Sequence, residues 1–188
     1  MEKTFSHRRL EVVEQRPMIG DFKNRWPALF EQSEVNAEFL RITTKPLQSK
    51  FLSQMDHFSD KLIQIFQSKG GVKGQKIKHI LAMTDLSSAA EDAERDIATT
   101  VMGIYTIGRD GHEEPEDVGV VIEGIKVLNN VGSVIMGFIM LFGLIYALDL
   151  AFPENLKYTF EFFQKIIMNL DGHKLNAKIQ QLKIKLFS

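Results

Sequence analysis

Cysteine is absent from this chain of 188 residues, and its absence excludes several kinds of chemistry at once. Without thiols there is no disulfide scaffold, no thiol nucleophile, no zinc ribbon and no iron–sulfur cluster. The sequence also lacks an asparagine-linked glycosylation sequon, and Met1 to Arg9 are polar rather than typical of a signal peptide. We therefore expect a cytoplasmic or nuclear protein.

An excess of either charge is lacking too. Lys and Arg total 23 and Asp and Glu total 24, which gives a formal net charge of −1. Most nucleic-acid-binding domains carry a clear basic excess, so the overall charge argues against that class. The chain is 44% apolar and 25% charged, as globular domains are, which argues against a disordered tail or a multi-span membrane protein.

Recognisable catalytic and cofactor-binding motifs are missing as well. The five histidines are scattered and never have the spacing of a metal-binding motif. The glycine-rich stretch at 69–76 lacks the Gly-x-x-x-x-Gly-Lys-Ser/Thr spacing of a phosphate-binding loop. We therefore predict no enzyme activity, no catalytic or cofactor-binding residue, no metal site, no cofactor and no small-molecule substrate.

One local basic patch stands out against the balanced charge. It consists of Lys69, Lys73, Lys76 and Lys78. Such lysines contact phosphates without reading sequence, so the patch makes a weak nucleic-acid binder an alternative function. No aromatic residues alternate with these lysines, which is unfavourable for stacking on single-stranded bases.

The periodicity of apolar residues predicts a helix-dominated fold. Apolar residues from Leu47 to Ile65 recur at steps of three and four, which is typical of an amphipathic helix. Val101 to Ile107 and Val118 to Ile122 are β-branched runs separated by an acidic, turn-rich loop. We predict an α+β, predominantly α-helical fold of six or seven helices with one β-hairpin at about 101–122. Residues 1–24 are predicted as a loose N-terminal arm and residues 25–188 as a single domain.

The longest apolar stretch leaves two interpretations open. No charged residue occurs from Val131 to Leu148, and a helix over 131–152 would be roughly 33 Å long, enough to cross a bilayer. Within it Gly137, Gly143 and Ala147 share one helix face, where small residues allow another helix to approach closely. We favour a buried core helix of a water-soluble protein. The alternative is a single-pass membrane protein with a cytoplasmic C-terminus.

Several segments resemble the sterile alpha motif domain-containing protein 3-like family. They are Arg25-Trp26-Pro27-Ala28-Leu29-Phe30, Phe39 to Thr43, Ser68 to Gly71, Asp117 to Gly124, Gly143 to Leu148 and Leu156 to Glu161. The resemblance covers roughly residues 20–187 and concerns the family's shared C-terminal region, while the sterile alpha motif module itself is absent. The resemblance brings no catalytic residues with it. Our interpretation is a non-enzymatic protein–protein interaction module whose partner the sequence does not identify.

Overall fold

The computed structural model describes residues 1–68, 94, 97–108, 115–172 and 175–188. Within these ranges the α-helices are α1 (Phe5–Leu10), α2 (Ile19–Arg25), α3 (Gln32–Thr43), α4 (Leu47–Gln67), α5 (Val134–Ala147), α6 (Lys157–Phe162) and α7 (Ala177–Phe187). The strands are β1 (Met102–Ile107), β2 (Asp117–Ile122) and β3 (Ile125–Leu128). Short 3-10 turns (Glu2–Thr4, Pro27–Phe30 and Glu154–Leu156) and π-helical turns (Glu11–Gln15 and Phe163–Ile167) adjoin them.

The predicted α+β class dominated by helices is confirmed. The helix count differs slightly from the expected six or seven, because residues 97–99 are also helical and short 3-10 and π-helical turns adjoin the seven α-helices named above. The chain divides into two compact units, the first made of Met1–Gln48 and Ser87–Pro153 and the second of Ser49–Leu86 and Glu154–Ser188. The single domain expected over 25–188 stays a prediction, because a division into compact units does not decide whether the units unfold together or separately.

Helix α5 forms the core of the first unit. Ser133 caps its N-terminus, since the Ser133 hydroxyl accepts the Met136 N–H at 3.1 Å. Gly143 permits close packing: a Cβ there would lie 2.5 Å from Leu47 Cδ2 and 2.7 Å from Val35 Cγ1. The small-residue face therefore works at this position as a packing surface for α3 and the start of α4.

The apolar segment forms a shorter helix than the sequence suggested. The helix expected over 131–152 begins at Val134 and ends at Ala147, and 14 residues span only about 21 Å. It ends there because Asp149 takes a left-handed conformation, with φ of 53°. Across the described ranges, no helix combines the length and apolar character needed to cross a bilayer, which argues against the alternative of a membrane span at 131–152.

The predicted hairpin at about 101–122 is confirmed, and a third strand extends it. The antiparallel sheet has the order β1-β2-β3. Glu123 and Gly124 join β2 to β3 with φ of 53° and 73°, as in the type I′ turns that connect two-residue hairpins. The sequence analysis missed β3 because a Glu-Gly pair is a weaker turn signal than Asn-Gly or Asp-Gly.

A glycine and a tyrosine fix the register of this sheet. Tyr105 pairs with Gly119, and a side chain at Gly119 would overlap the Tyr105 ring and the Leu128 carbonyl oxygen. The Tyr105 hydroxyl lies within hydrogen-bond distance of two acceptors, Asp117 Oδ2 at 3.0 Å and Asn129 Oδ1 at 2.6 Å. Burial and the neighbouring Asp117 carboxylate raise the pKa of Tyr105 well above its ordinary value.

The loose arm predicted for residues 1–24 is wrong. The segment forms α1, a π-helical turn and α2, and it buries both charged and apolar side chains: Arg8, Glu11, Val12, Ile19 and Phe22. Its charge pattern suggested solvent exposure because Arg and Glu are rarely buried without partners. Here the partners lie outside α1: Glu38 pairs with Arg8, and Arg25 and Trp26 donate to Glu11.

The second unit is held together by aromatic contacts. Phe51 of α4 stacks on Phe163 with ring centroids 5.0 Å apart, and Phe58 meets Phe187 of α7 edge-on at 5.4 Å. Such pairs add roughly 0.5–1.5 kcal/mol beyond the area that they bury. The buried apolar stripe predicted for α4 is present, since Phe58, Leu62 and Ile65 are all buried.

Candidate functional site

Buried ion pairs anchor the N-terminal helical segment. Arg8 and Glu38 are 1% and 2% exposed, and the Arg8 guanidinium donates to both Glu38 carboxylate oxygens, at 3.3 and 2.7 Å. Arg8 Nη1 also donates to Thr4 Oγ1 at 2.5 Å and to the Met1 carbonyl oxygen at 2.8 Å. Arg41 adds a second cation to Glu38, at 2.7 Å. Each buried charge thus has a partner, which is the condition for tolerating it.

A second buried carboxylate ties the turn after α1 to the end of α2. Glu11 is 2% exposed, and it accepts hydrogen bonds from Arg25 Nη1 at 2.5 Å and from Trp26 Nε1 at 3.1 Å. The Trp26 ring in turn lies under the Arg8 guanidinium, 5.7 Å from its centroid. Arg8 and Glu11 are therefore directed inward, and they fix the conformation of the segment from several sides.

Apolar side chains face outward on the same segment. Leu10 is 54% exposed, Val13 44% and Met18 64%. Leu10 and Val13 are three residues apart on a helical stretch, so their side chains are neighbours on one face. Side chains of this size are costly to leave in water, at about 25 cal/mol per Å² of apolar surface, and their grouping is typical of a contact surface.

A pocket of about 290 Å³ is lined in part by the same N-terminal segment, although Leu10, Val13 and Met18 are not among its lining residues. The N-terminal segment supplies Val12, Arg16 and Ile19, and the far walls come from Glu123 after β2 and from residues 148–151 after α5. Its volume is near the lower limit of about 300 Å³ for small-molecule sites. Apolar lining with a few charged groups at the edge suits insertion of a side chain from a partner. We call this pocket together with Leu10, Val13 and Met18 the N-terminal face.

Hydrogen bonds hold the walls of the pocket in place. Glu123 Oε2 accepts the Ile19 N–H at 3.1 Å. Lys23 Nζ donates to the Lys126 carbonyl oxygen at 2.6 Å, and burial lowers the pKa of Lys23. These contacts attach α2 to the β2–β3 turn, so the pocket is a preformed concavity.

The Arg9 side chain reaches the end of α5, next to the pocket-lining Asp149. Its guanidinium donates to Asp149 Oδ1 and to the Tyr146 carbonyl oxygen, both at 2.9 Å. The pair is partly exposed, so it contributes on the order of 0.2–1 kcal/mol. Its role is to position Asp149 at the pocket edge.

Three residues around the pocket have left-handed backbones. The φ angles are 46° at Arg16, 53° at Glu123 and 53° at Asp149. Conformations of this kind cost energy in residues other than glycine and are enriched at binding sites. Arg16 makes no ion pair with any described residue, so it is available to a carboxylate of a partner.

Lys69, Lys73, Lys76 and Lys78 fall outside the described residues, so the basic patch stays a prediction. The acidic loop between β1 and β2 also lies largely outside them. Within the described ranges, no group of three or more acidic or histidine side chains converges as metal ligands would. Sequence reasoning missed the N-terminal face because it took residues 1–24 for an unstructured arm.

Comparison with protein families gives a match at the N-terminus. Residues 1–31 match the model of the family described as sterile alpha motif domain-containing protein 3, helical domain. The resemblance found from sequence is confirmed by this match, although only Arg25 to Phe30 of the segments that carried it lies within the matched residues. No curated protein and no solved structure shows significant similarity to the chain. The matched residues are those that form the helices and apolar side chains of the N-terminal face.

Proposed function

We propose that the chain is a non-enzymatic protein–protein interaction module related to the sterile alpha motif domain-containing protein 3-like family, whose helical-domain model matches residues 1–31. The binding surface in this proposal is the N-terminal face. The observation that carries it is that one segment, whose buried charges are paired internally, both exposes Leu10, Val13 and Met18 and lines a pocket.

The structure of the face indicates what kind of partner it suits. An apolar or aromatic side chain fits a pocket walled by Val12 and Ile19, as anchor residues do at the centre of interfaces. A carboxylate of the partner near that anchor would meet Arg16 at the rim. The rigid anchoring of α1 through Arg8 limits the ordering cost of binding, because little conformational freedom is left to lose.

A paired set of variants tests the proposal. The test variant replaces Leu10 and Val13 with Ser, and the control variant replaces Val134 and Ile135, which are 52% and 61% exposed on α5. Proteins captured from cells by the unmodified chain are quantified by mass spectrometry, and the affinity of each recovered partner is measured for all three proteins.

We expect the test variant to bind a specific partner at least roughly 30-fold more weakly, since a hot spot contributes about 2 kcal/mol or more. The control variant should bind it as the unmodified chain does. A photo-crosslinking residue at Met18 should join the chain to that partner. Equal partner binding by the test and control variants, or no crosslink from position 18, would contradict the proposal.

A further inference from the structure

The second unit contains a cavity of a different character, about 480 Å³ in volume. Its polar lining consists of Lys50, Lys165, Lys183, His57, Gln54 and Asn169. Phe58 and Ile166 are buried beneath it. Among the described residues that line it there are three lysines and no carboxylate, in a chain whose total charge is −1. Clefts lined by one sign of charge attract ligands of the other sign.

Three elements each bring a lysine to the cavity. Lys50 and His57 are seven residues apart on α4, which places them on one side of that helix. Lys165 comes from the π-helical turn after α6, and Lys183 from α7. Lys183 forms no ion pair with a described residue. Lysines converging from separate elements suit a ligand with several anionic oxygens, because each ammonium acts as a point charge.

The rim of the cavity exposes large apolar side chains. Phe187 lines the cavity and is 64% exposed, and Ile184 is 62% exposed one helical turn away on the same flank of α7. Lys183, on the same helix, also lines the cavity. Exposed apolar groups beside clustered lysines are typical of helices that lie at the surface of an anionic bilayer.

From these observations we propose that the cavity binds the phosphate groups of an anionic phospholipid headgroup, while Ile184 and Phe187 enter the interfacial layer of the membrane. The lysines would neutralise phosphate monoesters such as those on a phosphorylated inositol ring. A free phosphorylated solute would meet the same lysines, but it would give no reason for the exposed pair on α7. The membrane-bound source therefore accounts for both features.

Vesicle sedimentation of the full chain tests this inference. The vesicles contain phosphatidylcholine alone, phosphatidylcholine with phosphatidylserine, or phosphatidylcholine with phosphatidylinositol bisphosphate at matched total charge. We expect sedimentation with the bisphosphate lipid above all. Binding of soluble inositol trisphosphate is measured in parallel by calorimetry. Absence of sedimentation with the bisphosphate lipid overturns the proposal. If inositol trisphosphate binds while vesicles do not, the ligand is a free phosphorylated solute and the assignment to a membrane lipid is overturned.

Matched variants locate the site. Lys165→Gln combined with Lys183→Gln should weaken vesicle binding by roughly 25-fold, because each lysine near an anionic surface contributes about 1 kcal/mol. The control combines Lys157→Gln with Lys185→Gln, which removes the same charge from exposed positions outside the cavity lining. Equal weakening by both pairs would show general surface electrostatics and overturn the proposed site.

The role of the rim is tested separately. Ile184→Ser should weaken vesicle binding severalfold while leaving inositol trisphosphate binding unchanged, since Ile184 is exposed and does not line the cavity. No loss of vesicle binding in this variant would overturn the insertion of α7. Circular dichroism of every variant must match that of the unmodified chain.

Discussion

Removing the guanidinium of Arg8 should be among the most destabilising single changes in the first unit. In Arg8→Met the apolar stem is kept, but Glu38, only 2% exposed, loses two hydrogen bonds and its buried counter-charge. Arg41 remains at 2.7 Å and screens part of that loss. Breaking one side of a buried ion pair costs about 3–5 kcal/mol, a large part of the roughly 5–15 kcal/mol that stabilises a typical domain.

A double-mutant cycle isolates the pair. Arg8→Met combined with Glu38→Met removes both charges and leaves two apolar side chains of suitable volume, a replacement that is often close to neutral. Arg41 then keeps Glu34 as its partner, at 3.4 Å, and it is partly exposed, so water can also hydrate it. We expect the double variant to be more stable than Arg8→Met alone, with a coupling free energy of about 1–3 kcal/mol.

Urea denaturation measures these free energies of unfolding. Trp26 is the only tryptophan and lies 5.7 Å from the Arg8 guanidinium, so its fluorescence reports on this cluster. Circular dichroism must give the same midpoint for the two-state treatment to hold. A loss below about 1 kcal/mol in Arg8→Met, or additive effects in the cycle, would refute the importance of the buried pair.

Three further measurements test the packing and the sheet. Gly143→Ala should lower the free energy of unfolding by about 1–3 kcal/mol, because its Cβ would meet Leu47 Cδ2 at 2.5 Å; Gly172→Ala, which meets only Asn169 Oδ1 at 3.6 Å, should change it by less than about 0.5 kcal/mol. Phe58→Ala should cost about 3–5 kcal/mol by urea denaturation, and near-zero loss would contradict the burial of that ring. Because folding raises the pKa of Tyr105, its contribution to the free energy of unfolding is complete below the unfolded pKa of about 10 and is lost as the pH rises through the folded pKa. If the free energy of unfolding of Tyr105→Phe fell with alkaline pH as steeply as that of the unmodified chain, this reasoning would be refuted.

The elements that the sequence predicted well are those whose signal is local. The stripe from Leu47 to Ile65 needs only neighbours along one helix to be recognised, and the strands at 102–107 and 117–122 show their β-branched runs directly. The apolar run near 131–152 was correctly identified as a helix that is buried. Its end was misplaced because the left-handed conformation at Asp149 leaves only a weak signal in sequence.

The parts that sequence reasoning missed depend on distant residues. Arg8 and Glu11 look like surface charges, and they are buried only because Glu38, Arg25 and Trp26 complete their hydrogen bonds. The pocket of the N-terminal face combines residues 12–22 with Glu123 and residues 148–151, with no motif in any one segment. The lysine cavity likewise draws its lining from three separate elements.

The interleaving of the two units has a practical consequence for anyone who dissects this protein. The polypeptide passes from one unit to the other after Gln48, after Leu86 and after Pro153. Every single cut therefore leaves at least one unit without part of its own sequence. A fragment ending at 153 retains the first unit and also carries residues 49–86. It lacks Phe163 and Phe187, which contact Phe51 and Phe58 on the apolar side of α4. Terminal deletions would report exposed hydrophobic surface and aggregation rather than the loss of a binding site, and point variants in the intact chain avoid this artefact.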